Sequence, residues 1–284
     1  MTAQNLKLKA QNQNLKRKVF LKSFEFLAFV LSFSLLTFSF HAHAATPNYA
    51  KVPEIEIQKA RKGLREGEKF TYGVYWMGVP VGEASLEIKE LVVMNGRQAY
   101  HIIGVARSNE FLSNFYRVQD EVHSYIDKEQ LCSLRFEKRQ AEGHYVSDEV
   151  VTFDQAAHRG HYESLRKKST KDFTIPPRVQ DVASAFYYFR TLDVLPRSTV
   201  TLDVNADEKN WKVDMNVIDT QQLEILRKGV RKVFCVEPKA PFKGVIAKRS
   251  KAWIYFSVDE ERVPVMIKIK IPFGFVIGVL EGAQ

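Results

Sequence analysis

Cysteine is nearly absent from this chain: two residues, Cys132 and Cys235, in 284. That excludes a disulfide-stapled scaffold and a cysteine-rich zinc site, both of which need more thiols. Histidine is also sparse, with seven residues. His41 and His43 fall in the amino-terminal segment, and His101 and His123 stand apart in strand-like surroundings. If 145–153 and 160–168 form a hairpin, His161 lies opposite about residue 152. His144 is then a strand's length away, roughly 27 Å at about 3.4 Å per residue, so His144, His158 and His161 do not make a ligand set. There is no G-x-S-x-G elbow, no G-x-x-x-x-G-K-S/T phosphate loop and no G-x-G-x-x-G turn. Sequence motifs therefore nominate no catalytic residue, no metal and no cofactor. They point away from an enzyme, although acids that converge only in the fold would leave no such trace.

Long hydrophobic runs are missing too, with one exception. Phe26–Phe40 is an uncharged apolar stretch of 15 residues. As a helix it would reach roughly 22 Å, short of the ~30 Å hydrocarbon core of a bilayer. Lys7, Lys9, Lys16, Arg17, Lys18 and Lys22 precede it, and Ala42-His43-Ala44 follows. A basic leader, an apolar core and a small-x-small site make a secretory signal peptide. Residues 1–44 are expected to be removed after Ala44, leaving a periplasmic protein; the alternative is an uncleaved leader that anchors the chain.

Excess charge of one sign is the next absence. The formal charge is +9, but the leader holds six of the 42 basic residues and one of the 33 acidic ones. The remaining 36 and 32 leave only +4, which excludes a nucleic-acid reading built on bulk charge. Local basic clusters remain at Arg166-Lys167-Lys168 with Lys171, at Arg227-Lys228 with Arg231-Lys232, and at Lys248-Arg249 with Lys251. They could meet anionic envelope material; the plainer reading is solvated faces.

What the chain does contain is strand signal. Phe70–Trp76 is rich in aromatic and β-branched residues, Ala84–Met94 returns, Asn95-Gly96 is a tight-turn pair, and Tyr100–Ala106 returns again. Val200, Leu202 and Val204 alternate with polar residues. So do Trp211, Val213, Met215 and Val217, and Val265, Ile267, Ile269 and Ile271. Such period-two patterns mean one buried and one wet face, as in an antiparallel sheet. A single helix is expected from Asp181 to Leu192, with Asp181 as N-cap and Val182, Phe186 and Phe189 on its buried face. Asp181 and Arg190 then lie on opposite faces and do not pair. The fold class is all-β, mainly antiparallel, with one short helix. A curled sheet, barrel or half-barrel is expected, with a β-sandwich or two β-lobes as the alternative. Residues 45–66 form a charged lead-in and 67–284 one β-rich domain. Cys132, in the alternating stretch Cys132-Leu134-Phe136, and Cys235 either form a disulfide after export or remain buried thiols.

Four stretches, in order, resemble the DUF3108 family of exported bacterial proteins. They are Gly67-Glu68 with Phe70, Tyr72, Trp76, Gly78 and Gly82; Tyr116-Arg117-Val118 and Asp120 with Ser124, Tyr125 and Asp127; Gln180-Asp181-Val182 with Ser184, Ala185, Tyr187, Tyr188 and Arg190; and Trp253 with Ser257, Asp259, Arg262 and Pro264. The resemblance implies a periplasmic, β-rich protein and carries over no activity. The leading expectation is a binding or carrier module for a hydrophobic or lipid-like ligand, by analogy with barrels that enclose apolar molecules. A structural or interaction protein of the envelope is the second, and a hydrolase of envelope polymers the third. The expected partner is a lipid or envelope component; ligand-contacting residues and oligomeric state stay open.

Overall fold

The computed structural model describes residues 55–284 apart from 207, 226–228, 241–250 and 272–273. The expected leader and its cleavage point after Ala44, together with Arg227-Lys228 and Lys248-Arg249, lie outside the described residues.

Eight strands form the first meander: β1 (Lys69–Trp76), β2 (Val79–Met94), β3 (Arg97–Ser108), β4 (Gln119–Asp127), β5 (Ser133–Glu142), β6 (Tyr145–Asp154), β7 (Arg159–Ser164) and β8 (Ser169–Thr174). Six more form the second: β9 (Thr199–Ala206), β10 (Lys209–Ile225), β11 (Gly229–Lys239), β12 (Lys251–Ser257), β13 (Pro264–Ile271) and β14 (Gly274–Ala283). β14 pairs with β1, so the two meanders join into one antiparallel sheet of fourteen strands, β8 through β1 to β14 and on to β9. The sheet is one body rather than a sandwich or two lobes. It curls without closing, because β8 and β9 do not pair as strands. The gap is bridged by other means: Lys171 pairs with Glu208 at 3.1 Å, Asn210 Nδ2 donates to the Thr174 carbonyl, and Gln180 exchanges two backbone hydrogen bonds with β9.

Turn chemistry sets the register. Asn95 and Gly96 both adopt positive φ, +49° and +78°, the primed geometry that matches strand twist. In β10, Val213, Met215 and Val217 are buried while Lys212 and Asp214 are exposed, as the alternation requires. On β13, Ile269 and Ile271 are buried and Lys270 is exposed. Lys268 is half-buried, its ammonium lying over the Phe275 ring at 4.3 Å. Thr152 pairs with His161, the register expected of that hairpin.

The connection from β8 to β9 carries helix α2 (Val182–Arg190), and the link between β3 and β4 carries α1 (Glu110–Ser113). α1 is one turn capped by the Asn109 side chain, and its 3.6-residue pattern is too short to read from sequence. α2 differs from expectation in a more telling way. It buries Ala183, Ser184 and Tyr187 as well as Val182, Phe186 and Phe189, because the helix sits inside the curl and meets sheet on nearly every side. Asp181 caps it through a capping box with Ser184. Its other carboxylate oxygen accepts from Ser124 at 2.6 Å and Ser133 at 2.5 Å, tying the helix start to β4 and β5. Burial pushes the Asp181 carboxyl up despite those four hydrogen bonds.

Arg190 fixes the other end. Its guanidinium forms a two-pronged pair with Glu68, at 2.5 and 2.8 Å, and donates to the carbonyls of Glu261 and Arg262. Three of the four family-like stretches therefore meet at one side chain. Ser124, hydrogen-bonded to Asp181, brings in the other. These residues account for the joining of helix to sheet. Residues 55–66 form irregular chain against this end, with Gln58 N–H on Val258, Arg61 N–H on Glu260 and Ala60 N–H on Asp193.

The cysteines are buried free thiols, not a disulfide. Cys235 lies on β11 and Cys132 just before β5, and seven strands separate β5 from β11 in the sheet. The expected alternation through Cys132-Leu134-Phe136 fails because the β4–β5 register shifts between Tyr125 and Ile126, which turns Ser133 toward the interior.

Candidate functional site

Two of the packed clusters in the interior have a space between them. One gathers around α2: Phe186, Tyr187 and Phe189 with Ile88, Ile102, Val213, Met215, Phe234, Ile254 and Phe256. The other lies under the cap made by α1 and the chain after it: Leu112, Tyr116 and Val118 with Val74, Val81, Ile269, Ile271 and Val276. Between them is a cavity of about 120 Å³. Its walls come from β1–β4, β12–β14 and the first half of α2.

Small residues keep this space open. Ala84, Gly104, Ala106, Ala252 and Gly278 all line it, and at Gly278 a larger side chain has room to project into the void. A Cβ added at Gly278 would meet nothing closer than 3.9 Å, whereas one at Gly104 would press on Val122 at 2.8 Å. The wall is almost entirely apolar, which favours an apolar occupant over water. Two buried polar atoms interrupt it. Tyr187 hides its hydroxyl with no hydrogen-bond partner, and so does Asp120 its Oδ2.

Asp120 begins a polar strip along the inward face of β4–β6. Its Oδ1 accepts from Ala141 N–H, and its carboxyl lies beside that of Glu142. Burial first, and then the Asp120 charge, raise Glu142 far above the usual carboxylate range; burial raises Asp120 as well. Gln140 donates to Glu142 at 2.9 Å. Beside them Lys138 pairs with Glu149 at 3.2 Å, and Ser147 donates to Glu149 at 2.6 Å. Although burial opposes it, Lys138 and these hydrogen bonds hold Glu149 below its usual range. Sequence reading missed the strip. Asp120 and Glu142 belong to strands whose pairing depends on a register that no local pattern announces.

The histidines behave differently from expectation. His101 and His123 do not stand apart: Ile103 pairs with His123 across β3 and β4, and the imidazoles meet at 2.8 Å. His101 stacks on Tyr125, and His123 contacts Glu121 at 2.7 Å. By strand alternation this group is on the outer face, away from the cavity. His161 pairs with Asp172, while His144 and His158 occupy the turns at opposite ends of β6. Among the described residues no group of three or more His, Cys, Asp or Glu is placed to hold a metal ion. Of the basic clusters, Arg166, Lys167, Lys168 and Lys171 are exposed, as are Arg231 and Lys232, while Lys251 is half-buried near Glu237.

Comparison with known proteins places the chain. The family model described as "Protein of unknown function (DUF3108)" matches residues 71–280. The chain belongs to the DUF3108 family. Among solved structures, this DUF3108 chain is similar to a beta-barrel-like protein of domain of unknown function DUF1849 from Brucella abortus. The TM-score is 0.51 and the identity 8%, covering 77% of this chain and 97% of that one. A putative exported protein with YmcC-like fold from Bacteroides fragilis matches at TM-score 0.30 and 10% identity, over 80% of this chain and 100% of the other. The first likeness shows the fold: a curled, barrel-like antiparallel sheet. No curated protein matches the sequence. The described residues contain no helix long and apolar enough to cross a membrane.

Proposed function

We propose that this DUF3108 protein is a non-enzymatic binding or carrier module of the cell envelope that holds an apolar group inside its curled sheet. One observation carries the reading: the cavity between the two core clusters, walled by Ala84, Gly104, Ala106, Ala252 and Gly278. A core selected only for stability fills such a space, because a void forfeits the packing of the atoms lining it. At about 120 Å³ the space suits a ring or a short alkyl segment, since an apolar cavity of roughly 150 Å³ takes up benzene. A whole lipid would leave most of its length outside. The basic leader and apolar run support export, with cleavage after Ala44 and a periplasmic location for the mature chain; amino-terminal sequencing of the purified protein tests that step.

The binding test is uptake of a small apolar probe, followed by native mass spectrometry or thermal shift. Binding by the parent chain and its loss in Gly278→Leu, which fills the void, are expected. A parent chain that takes up no probe, and that is purified free of apolar ligand, overturns the reading in favour of an interaction protein. That second reading has its own supporting feature in β8, an edge strand whose Ser169–Asp172 side chains are exposed, open to pairing with another chain.

A further inference from the structure

The apolar cavity does not end in apolar wall. Asp120, 4% exposed, lies on its lining with Oδ2 lacking any hydrogen-bond partner. The charged groups that face inward around it can be counted strand by strand. β4 contributes Asp120, β5 contributes Lys138 and Glu142, and β6 contributes Glu149. Tyr162 on β7 is neutral, burial pushing its hydroxyl up to about 12. Lys138 balances Glu149 at 3.2 Å. The remaining acids, Asp120 and Glu142, lie side by side away from bulk water and against an apolar void, with Lys138 acting on both. A buried carboxylate oxygen without a donor is costly and asks for one.

We propose that the cavity takes the alkyl or aryl body of a cationic amphiphile, with its primary amine or ammonium head lying against Asp120. This rests on the carrier reading above and narrows it to a class of ligand. The ammonium supplies the donor that Oδ2 lacks, and its charge offsets that of the acid pair. A carboxylate head would meet like charge, and an alcohol could donate but would leave the charge unbalanced. Acid should weaken the amine's hold. Protonation of the Asp120–Glu142 pair removes its negative charge, while the ammonium stays charged.

The experiment compares hexylamine, hexanol and hexanoate on the full chain by calorimetry. Hexylamine is expected to bind about tenfold or more tighter than hexanol, the weight of one hydrogen bond to a charged group, and hexanoate weakest. As the pH is lowered the hexylamine affinity should fall, because protonation of the carboxyl pair competes with it, while hexanol is unaffected. Asp120→Asn, close to isosteric, should erase the preference for amine over alcohol. Tyr187→Phe, which removes the other orphaned polar atom, should keep that preference. Equal binding of amine and alcohol, tighter binding of hexanoate, or a folded Asp120→Asn that still prefers the amine overturns the headgroup assignment and leaves the carrier reading standing. Binding of none of the three overturns both. Because the pH series uses the unaltered protein, the result does not depend on a variant folding.

Discussion

The two halves of the interior are built on opposite principles. Around α2, the faces of β9–β12 and β1–β3 present Phe, Ile, Val and Met, and the Phe256 ring packs against those of Phe186 and Phe234 at 5.7 and 5.5 Å. Along β4–β6 part of the inward face instead holds Asp120, Lys138, Gln140, Glu142, Ser147 and Glu149, beside a separate apolar cluster that includes Val151, Phe153 and Tyr162. The first half buries surface and stabilises without directional demands. The second buries polar groups that gain little net stability even when paired, and lose much when a partner is removed. A fold needs the first kind of interior; the second kind indicates a use.

That contrast can be broken or sharpened by substitution. Ile269→Lys should have the largest effect: an unpaired ammonium on the buried face of β13 should leave no folded domain by circular dichroism, whereas Lys270→Glu, one residue on and exposed, should fold normally. Arg190→Ala strands the buried Glu68 carboxylate and is expected to cost about 3–5 kcal/mol in urea unfolding. Phe186→Ala opens a cavity in the apolar half and should cost about 3–5 kcal/mol; a loss below about 1 kcal/mol would mean that the apolar half is not where stability resides.

Smaller effects distinguish the halves by pH. The Asp120–Glu142 pair holds its proton to higher pH in the folded chain than in the unfolded one. The native state then binds more protons above the ordinary carboxylate pKa of about 4, and stability should decline as pH rises from there. Asp120→Asn should flatten that decline. His101 has the opposite sign. Burial first, then His123 and Lys89, lower its pKa, so the native state resists protonation and stability should fall as pH drops through about 6.5. His101→Asn should remove that acid limb and leave the alkaline one. A stability profile without either limb would contradict both placements.

Much of the apolar half was legible in the sequence. Strict alternation in Trp211–Val217 and Val265–Ile271 fixes which side is wet, since a one-residue slip would bury lysines. Asp181 and the prolines around it announce α2, though not that the helix lies inside the sheet. The polar half was not legible. The β3–β4 link through α1 and the shift between Tyr125 and Ile126 set which residues of β4 and β5 face each other, and neither follows from local pattern. So Asp120 could not be matched to Glu142, nor His101 to His123. The cavity had a signal that is easy to overlook: Ala84, Gly104, Ala106, Ala252 and Gly278 are small residues at the inward positions of strands, where bulk is the norm.

The place of β14 has a consequence for the order in which the chain can acquire structure. Strands β1 to β8 can pair as hairpins while they are being synthesised, and so can β9 to β13. Yet β14 lies between β13 and β1, and Gln284 and Lys69 exchange backbone hydrogen bonds across that seam. Two half-sheets must therefore wait, each with an unsatisfied edge and an uncovered apolar face, until β14 is available to join them. Contacts this distant in sequence are slow to form, because loop closure must come before they contribute. The chain should remain aggregation-prone and dependent on a holding chaperone until β14 arrives, then complete its sheet in one late, cooperative step.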